Sequence, residues 1–145
     1  VVLAFAGDHA PSFVDHVADK TRAEGNDLQI LERSTPFFIW ANYPLENIDA
    51  ATSTADSLNR MDMVMLAPTI AQQAGLPLTG YYKYLLAMKQ QTPVVTAAND
   101  YMKVDGITGT YGEDESLDAW VKGYLALEYN NIGAHAKRVQ SIFGQ

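Results

Sequence analysis

The first six residues, Val1 to Ala6, are all apolar, and Gly7, Asp8 and His9 follow them directly. An uninterrupted apolar run of this length, rather than an alternating one, is typical of a strand that is buried on both faces of an α/β sheet. A glycine after such a strand lets the backbone turn sharply and bring the two polar side chains toward one point. The sequence therefore predicts a central strand with an acid and an imidazole at its carboxyl end.

Composition limits the classes of protein to consider. The chain has 145 residues, of which 48% are hydrophobic and 19% charged, so we expect residues 1–145 to form a single domain with its own core. The net charge of −7 argues against nucleic acid as a partner, because duplex binding depends on cations that neutralise phosphates. Cysteine is absent, which excludes disulfides, thiolate metal sites and cysteine nucleophiles.

Targeting signals are not visible in this chain. No apolar run approaches the roughly 20 residues of a membrane span. There is no basic segment ahead of an apolar one, as a signal peptide would have. Because the sequence opens directly on a core-like strand, we expect it to be a piece of a larger protein.

The remaining regular structure is predicted from apolar spacing and from cap residues. An aromatic-rich segment bounded by Pro36 and Pro44 favours a second strand, which we expect to neighbour the first in one mixed sheet. Asp62 and Thr79 are candidate helix caps, and Gly75 is a candidate helix stop. The predicted strands are 1–6 and 36–41, and the predicted helices are 66–74, 79–90 and 116–130.

Four other segments have weaker patterns. Residues 14–24 favour a short helix or an ordered loop that ends at Gly25, and residues 28–31 favour the edge of a strand. Residues 46–60 are polar and small, which is typical of a turn-rich connection. Residues 99–115 hold acids and glycines and favour a surface loop.

Asp8 and His9 are the candidate functional residues of this sequence. Carboxylate and imidazole suit divalent ions in hydrolytic and transfer sites, and such sites gather at the carboxyl ends of strands. Two ligands are fewer than the four to six that a divalent ion needs. His16 and His135 have no ligand spacing to His9, and we interpret them as surface or locally hydrogen-bonded residues. Asp8 could instead cap the following turn, with His9 packed against it.

Three segments together resemble a known family: VVLAFAGDHAPSF, TPFFIWAN and MDMVMLAPTIAQQAGLPLTGYYKYLLAMKQQTPVV. Their order and spacing are similar to those of sulfatases and lipoteichoic acid synthase-like phosphoglycerol transferases in the alkaline phosphatase superfamily. The resemblance covers residues 1–100, and the last helix more loosely. It implies an α/β fold with a mixed β-sheet flanked by helices, as in the C-terminal part of an alkaline phosphatase-like domain.

The resemblance also implies a role for the acid and the imidazole. In this family an Asp-His pair binds the catalytic metal, which makes Asp8 and His9 the expected ligands of Mn²⁺ or Mg²⁺, with Zn²⁺ and Ca²⁺ as alternatives. The family's threonine nucleophile lies upstream, and no residue of this chain corresponds to it. We therefore expect no catalytic residue here and an inactive fragment.

The implied parent protein is a larger enzyme of the bacterial cell envelope. It would transfer phosphoglycerol, or hydrolyse sulfate or phosphate esters, at the extracytoplasmic face of the membrane. Its expected partners are the missing N-terminal half of the catalytic domain and a lipid- or polymer-linked phosphoglycerol or sulfate ester substrate. Two alternatives remain open at this point: a small non-catalytic α/β binding domain with a structural Asp-His pair, and a complete small hydrolase.

Overall fold

The structure, a computed structural model, describes residues 1–9, 25–45, 60–96, 100–133 and 137–144. It combines helices with small sheets, so the chain belongs to the α/β class. The chain divides into two compact units, Val1–Pro44 and Leu45–Gln145. The interpretation of residues 1–145 as a single domain stays a prediction. Residues 14–24 and 46–59, His16 and His135 lie outside the described residues.

Among the described residues, the first unit contains two strands and one helix. Strand β1 is Val2–Ala6, helix α1 is Gly25–Glu32 and strand β2 is Phe37–Ala41. The two strands pair in antiparallel register, with Leu3 opposite Trp40 and Phe5 opposite Phe38. This confirms that the two predicted strands are neighbours.

Two expectations for the first unit are wrong. Residues 28–31 lie in α1 and not at a strand edge, because the apolar spacing of this short run fits a helix as well as a strand. Strand β1 is not buried on both faces: Leu3, Ala4 and Phe5 are exposed. The reason is that this sheet has only two strands among the described residues, and the side chains of Leu3 and Phe5 on one of its faces are exposed.

The part of the second unit that the structure describes contains a short 3₁₀ turn, four helices and a separate sheet. The sheet is antiparallel in the order β3-β4-β5, so the described residues form two antiparallel sheets rather than the one mixed sheet that was expected. The elements are the 3₁₀ turn Met63–Met65, α2 Leu66–Gln73, α3 Gly80–Lys89, β3 Val94–Val95, β4 Asp100–Met102, β5 Thr108–Thr110, α4 Glu115–Ile132 and α5 Gln140–Phe143.

Cap residues set the boundaries of these helices as the sequence predicted. The Asp62 carboxylate accepts a hydrogen bond from the Val64 N–H, and the Thr79 hydroxyl accepts one from the Tyr82 N–H. Gly75 has φ +66° and lies just after α2, where a left-handed residue lets the last carbonyls of a helix be satisfied. The predicted helices at 66–74, 79–90 and 116–130 are confirmed within one or two residues.

The core of the second unit lies where the 3₁₀ turn, α3, α4 and the sheet meet. Strand β4 is buried throughout and pairs with β5, so residues 99–115 are not simply a surface loop. That prediction failed because five acids and three glycines in residues 99–115 masked a hairpin whose buried strand holds only Tyr101 and Met102 as large apolar residues. The buried cluster consists of Met65, Leu85, Met88, Val95, Tyr101, Leu117, Val121 and Tyr124.

None of the helices in the described parts of the chain has both the length and the apolar content that a bilayer crossing requires.

Candidate functional site

The carboxyl end of β1 is held by the residues that lead into β2. The Gly7 N–H donates a hydrogen bond to the Pro36 carbonyl oxygen at 3.0 Å, and the Thr35 hydroxyl donates one to the Gly7 carbonyl oxygen at 3.0 Å. A Cβ on Gly7 would lie 2.9 Å from the Thr35 Cβ, closer than side chains pack. Glycine is therefore the residue that allows this close approach just before the polar pair.

Asp8 and His9 follow this fixed point and reach into solvent. Their side chains are 90% and 78% exposed, and the Asp8 Oδ2 and His9 Nε2 atoms are 3.6 Å apart. The other carboxylate oxygen of Asp8 accepts a hydrogen bond from the His9 N–H at 3.0 Å. The structure thus brings both predicted ligands together at the end of β1, with one carboxylate oxygen of Asp8 facing one ring nitrogen of His9.

The donor set of this pair fits a divalent ion in part. Two ligand atoms that each lie about 2.1 Å from one ion are separated by roughly 3 to 3.5 Å, close to the observed 3.6 Å. Among the described residues, however, no group of three or more His, Asp or Glu side chains could hold a metal. Asp8 and His9 are therefore half of a coordination sphere at most within the part of the chain that the structure describes.

A second polar cluster was not predicted from the sequence. The Tyr124 hydroxyl donates a hydrogen bond to Glu128 Oε1 at 2.9 Å, and the Tyr81 phenol and the Asp62 carboxylate interact electrostatically with Glu128. Burial, and to a lesser extent the nearby Glu128 charge, raises the pKa of Asp62. Burial and the hydrogen bond to Glu128 likewise raise the pKa of Tyr124.

The raised pKa values of Asp62, Tyr81 and Tyr124 favour the neutral forms of these three groups. Tyr124 and Glu128 lie one helical turn apart in α4, and this spacing is the local sequence pattern that links two members of the cluster. Asp62 comes from the 3₁₀ turn and Tyr81 from α3, so no local pattern connects them. Within the part of the chain that the structure describes, the arrangement contains two carboxylates, those of Asp62 and Glu128.

Lys89 is the most buried lysine of the second unit. Its ammonium group donates a hydrogen bond to the Thr69 hydroxyl at 3.2 Å, and the Thr69 hydroxyl in turn donates to the Met65 carbonyl oxygen at 2.7 Å. Burial lowers the pKa of Lys89. This lysine connects the last turn of α3 to the first turn of α2, which is a structural role.

Comparison with known proteins found no relative of this chain. No protein-family model, no curated protein and no solved structure matches this chain. The geometry of Asp8 and His9 and the resemblance of the sequence motifs are therefore the grounds for a functional proposal.

Proposed function

We propose that this chain is the C-terminal part of a metal-dependent, sulfatase-like enzyme with an alkaline phosphatase-like fold. Asp8 and His9 supply two of the ligands of its divalent ion. The observation that supports this most directly is the 3.6 Å separation of Asp8 Oδ2 and His9 Nε2 at an exposed strand end. The proposed parent enzyme transfers phosphoglycerol, or hydrolyses a sulfate or phosphate ester, at the extracytoplasmic face of a bacterial membrane.

The proposed role of this chain is to bind the divalent ion and to orient the two side chains that hold it. Gly7 and Thr35 fix the strand end, which limits the positions that the Asp8 carboxylate and the His9 imidazole can take. A divalent ion bound there would supply positive charge to the transferring group. The nucleophile and the remaining ligands come from the N-terminal half of the proposed catalytic domain, so the isolated chain binds metal weakly and turns over no ester.

One observation favours a second candidate, a non-catalytic binding domain. The Asp8 carboxylate accepts a hydrogen bond from the next backbone N–H, which is what a residue that only caps a turn would do. In that case Asp8 and His9 stabilise the strand end and hold no ion.

Metal titration separates the two candidates. Mn²⁺ is paramagnetic and broadens the NMR signals of nearby protons, so a weak site is visible at millimolar metal. We expect no occupancy at micromolar Mn²⁺ and selective broadening of the His9 signals at millimolar Mn²⁺. Asp8→Asn should abolish the broadening. Asp105→Asn is the matched control, because Asp105 is also an exposed acid whose carboxylate accepts a nearby backbone N–H.

The same variants test the role in a longer protein that contains the proposed N-terminal half. There, Asp8→Ala or His9→Ala should abolish turnover and leave the melting temperature unchanged, because both side chains are exposed. Wild-type turnover in either variant, or ester hydrolysis by the isolated chain, would contradict the proposal. The absence of selective broadening of the His9 signals in the wild type at millimolar Mn²⁺ would favour the binding-domain alternative, in which Asp8 and His9 hold no ion.

A further inference from the structure

One face of the two-stranded sheet is apolar and uncovered. Successive residues of a strand point to opposite faces, so Leu3 and Phe5 share a face with their cross-strand partners Trp40 and Phe38. Each of these four residues is between 50% and 53% exposed. Val1, which is more exposed still, continues the row. We call these five residues the apolar face.

The side chains of the apolar face are packed against one another in pairs across the two strands. The Phe5 and Phe38 rings stack with their centroids 5.4 Å apart and 18° between their planes. Leu3 and Trp40 form the next cross-strand pair, one step along the ladder. Paired side chains of this kind hold each other in place, so a partner would find a preformed surface and lose little side-chain entropy on binding.

We propose that a second copy of this chain covers the apolar face, with the two sheets stacked about a two-fold axis. Half-exposed side chains of this size each offer roughly 100 Å² to a partner. Five of them give at most about 500 Å² per copy and about 1,000 Å² for the pair, which is the lower limit for a specific interface and corresponds to a weak dimer. This proposal is independent of the metal site, because Asp8 and His9 lie beyond the strand end.

Charge is consistent with a like-to-like contact. The chain carries a net charge of −7, yet the side chains of the apolar face are uncharged, and the charged group at its edge is the Val1 ammonium group, which donates a hydrogen bond to Asn42 Oδ1. Repulsion between the two copies acts only at longer range, where salt screens it. Dimer formation should therefore strengthen as the salt concentration rises, the opposite of what ion pairs across the interface would produce.

Sedimentation of the full chain tests the proposal. We expect a monomer–dimer equilibrium that Trp40→Ser weakens by at least about tenfold, because one large ring is lost from each copy. Ile132→Ser is the matched control, since Ile132 is a highly exposed apolar residue of α4 in the second unit, and it should change the dimer dissociation constant less than twofold. Circular dichroism of each variant shows whether the fold is retained.

Cross-linking locates the contact. The chain has no cysteine, so a single introduced cysteine is a specific probe. Leu3→Cys should give a covalent dimer with a short bifunctional maleimide. Ala4→Cys should not, because Ala4 is exposed on the opposite face of the same strand.

Four results would overturn the proposal. They are a monomer at all accessible concentrations, a dimer that Trp40→Ser leaves unchanged, equal cross-linking through Leu3→Cys and Ala4→Cys, and open-ended assemblies larger than a dimer. A monomer would favour another occupant, such as the proposed N-terminal half of a longer protein, and larger assemblies would favour pairing along the strand edges. None of these results depends on whether Asp8 and His9 bind metal.

Discussion

Thr35 lies against Gly7 so closely that only glycine fits: the Thr35 hydroxyl bonds the Gly7 carbonyl oxygen at 3.0 Å, and its Cβ lies 2.9 Å from where a Gly7 Cβ would be. Gly7→Ala should therefore destabilise the first unit by roughly 1–3 kcal/mol, as overpacking does elsewhere. Urea unfolding followed by the fluorescence of Trp40 measures this. Ala4→Ser, at an exposed position of the same strand, is the control and should cost less than about 0.5 kcal/mol.

Helix α4 packs on α3 through a second close approach. The Tyr84 hydroxyl donates a hydrogen bond to the Trp120 carbonyl oxygen at 2.7 Å, and a Cβ on Gly123 would overlap that hydroxyl. Gly123→Ala should thus destabilise the second unit, although alanine in a helix interior is favoured over glycine by about 1 kcal/mol. Tyr84→Phe alone should cost about 0.5–1.5 kcal/mol.

The double variant tests this explanation. In Tyr84→Phe the oxygen is gone, so adding Gly123→Ala should cost less than it does in the wild type. Chemical denaturation of all four proteins gives the coupling energy. Additive costs would mean that the two residues do not compete for this space.

Asp62 makes the second unit less stable at neutral pH. Its folded pKa is raised above the ordinary value of 3.8, first by burial and then by the Glu128 charge. For a raised pKa, the stabilisation is complete below the unfolded pKa and is lost as the pH rises through the folded pKa. Asp62→Asn keeps an acceptor for the Val64 N–H and carries no charge. It should be more stable than the wild type at pH 7 and should lose this advantage below pH 3.8.

Urea unfolding at pH 7 and pH 3 measures the effect. Asp62→Ala is the control, because it loses the acceptor as well as the charge and should be destabilised at pH 3. An Asp62→Asn variant with the same gain at both pH values would contradict the linkage.

Asp114 has the opposite pH dependence. It caps α4 through the Ser116 and Leu117 N–H groups, and the Lys103 ammonium lies 2.8 Å from its carboxylate. The hydrogen bond from Lys103, followed by those from Ser116 and Leu117, holds the pKa of Asp114 well below its ordinary value of 3.8. This stabilisation is present above the unfolded pKa and is lost as the pH falls through the folded pKa.

Two substitutions of Asp114 separate the contribution of its ion pair with Lys103 from that of the helix cap. Asparagine caps helices about as well as aspartate, so Asp114→Asn should lose only the ion pair and Asp114→Ala should lose the cap as well. We expect melting temperatures at neutral pH in the order wild type, Asp114→Asn, Asp114→Ala. The gap between wild type and Asp114→Asn should narrow at high salt and in acid, and Lys103→Met should resemble Asp114→Asn.

Local sequence signals predicted the helices because their boundaries depend on neighbouring residues. Asp62, Gly75 and Thr79 act on atoms one to four positions away, so their roles could be predicted without knowledge of the fold. The burial of β1 could not be predicted in this way. An apolar sequence indicates that the side chains of a strand can be buried. Whether another layer covers them depends on residues distant in the sequence.

The two candidate sites differ for the same reason. Asp8 and His9 are adjacent in the sequence, so their pairing at the strand end could be predicted. Asp62, Tyr81 and Glu128 come from three elements, and only the packing of the second unit brings them within electrostatic reach. The remaining ligands of the proposed ion could not be found by either route within the described residues.

The methionines of the second unit differ in their exposure to oxidants because of how this unit is packed. Met65, Met88 and Met102 are buried, whereas Met63 is exposed on the same 3₁₀ turn as Met65. Peroxide converts an accessible methionine to its sulfoxide, and a sulfoxide within a packed core disrupts it. Met63 is thus placed to react first at little structural cost. The three buried sulfur atoms should oxidise only when the core opens, so their oxidation, read by mass spectrometry, would report how often this unit unfolds.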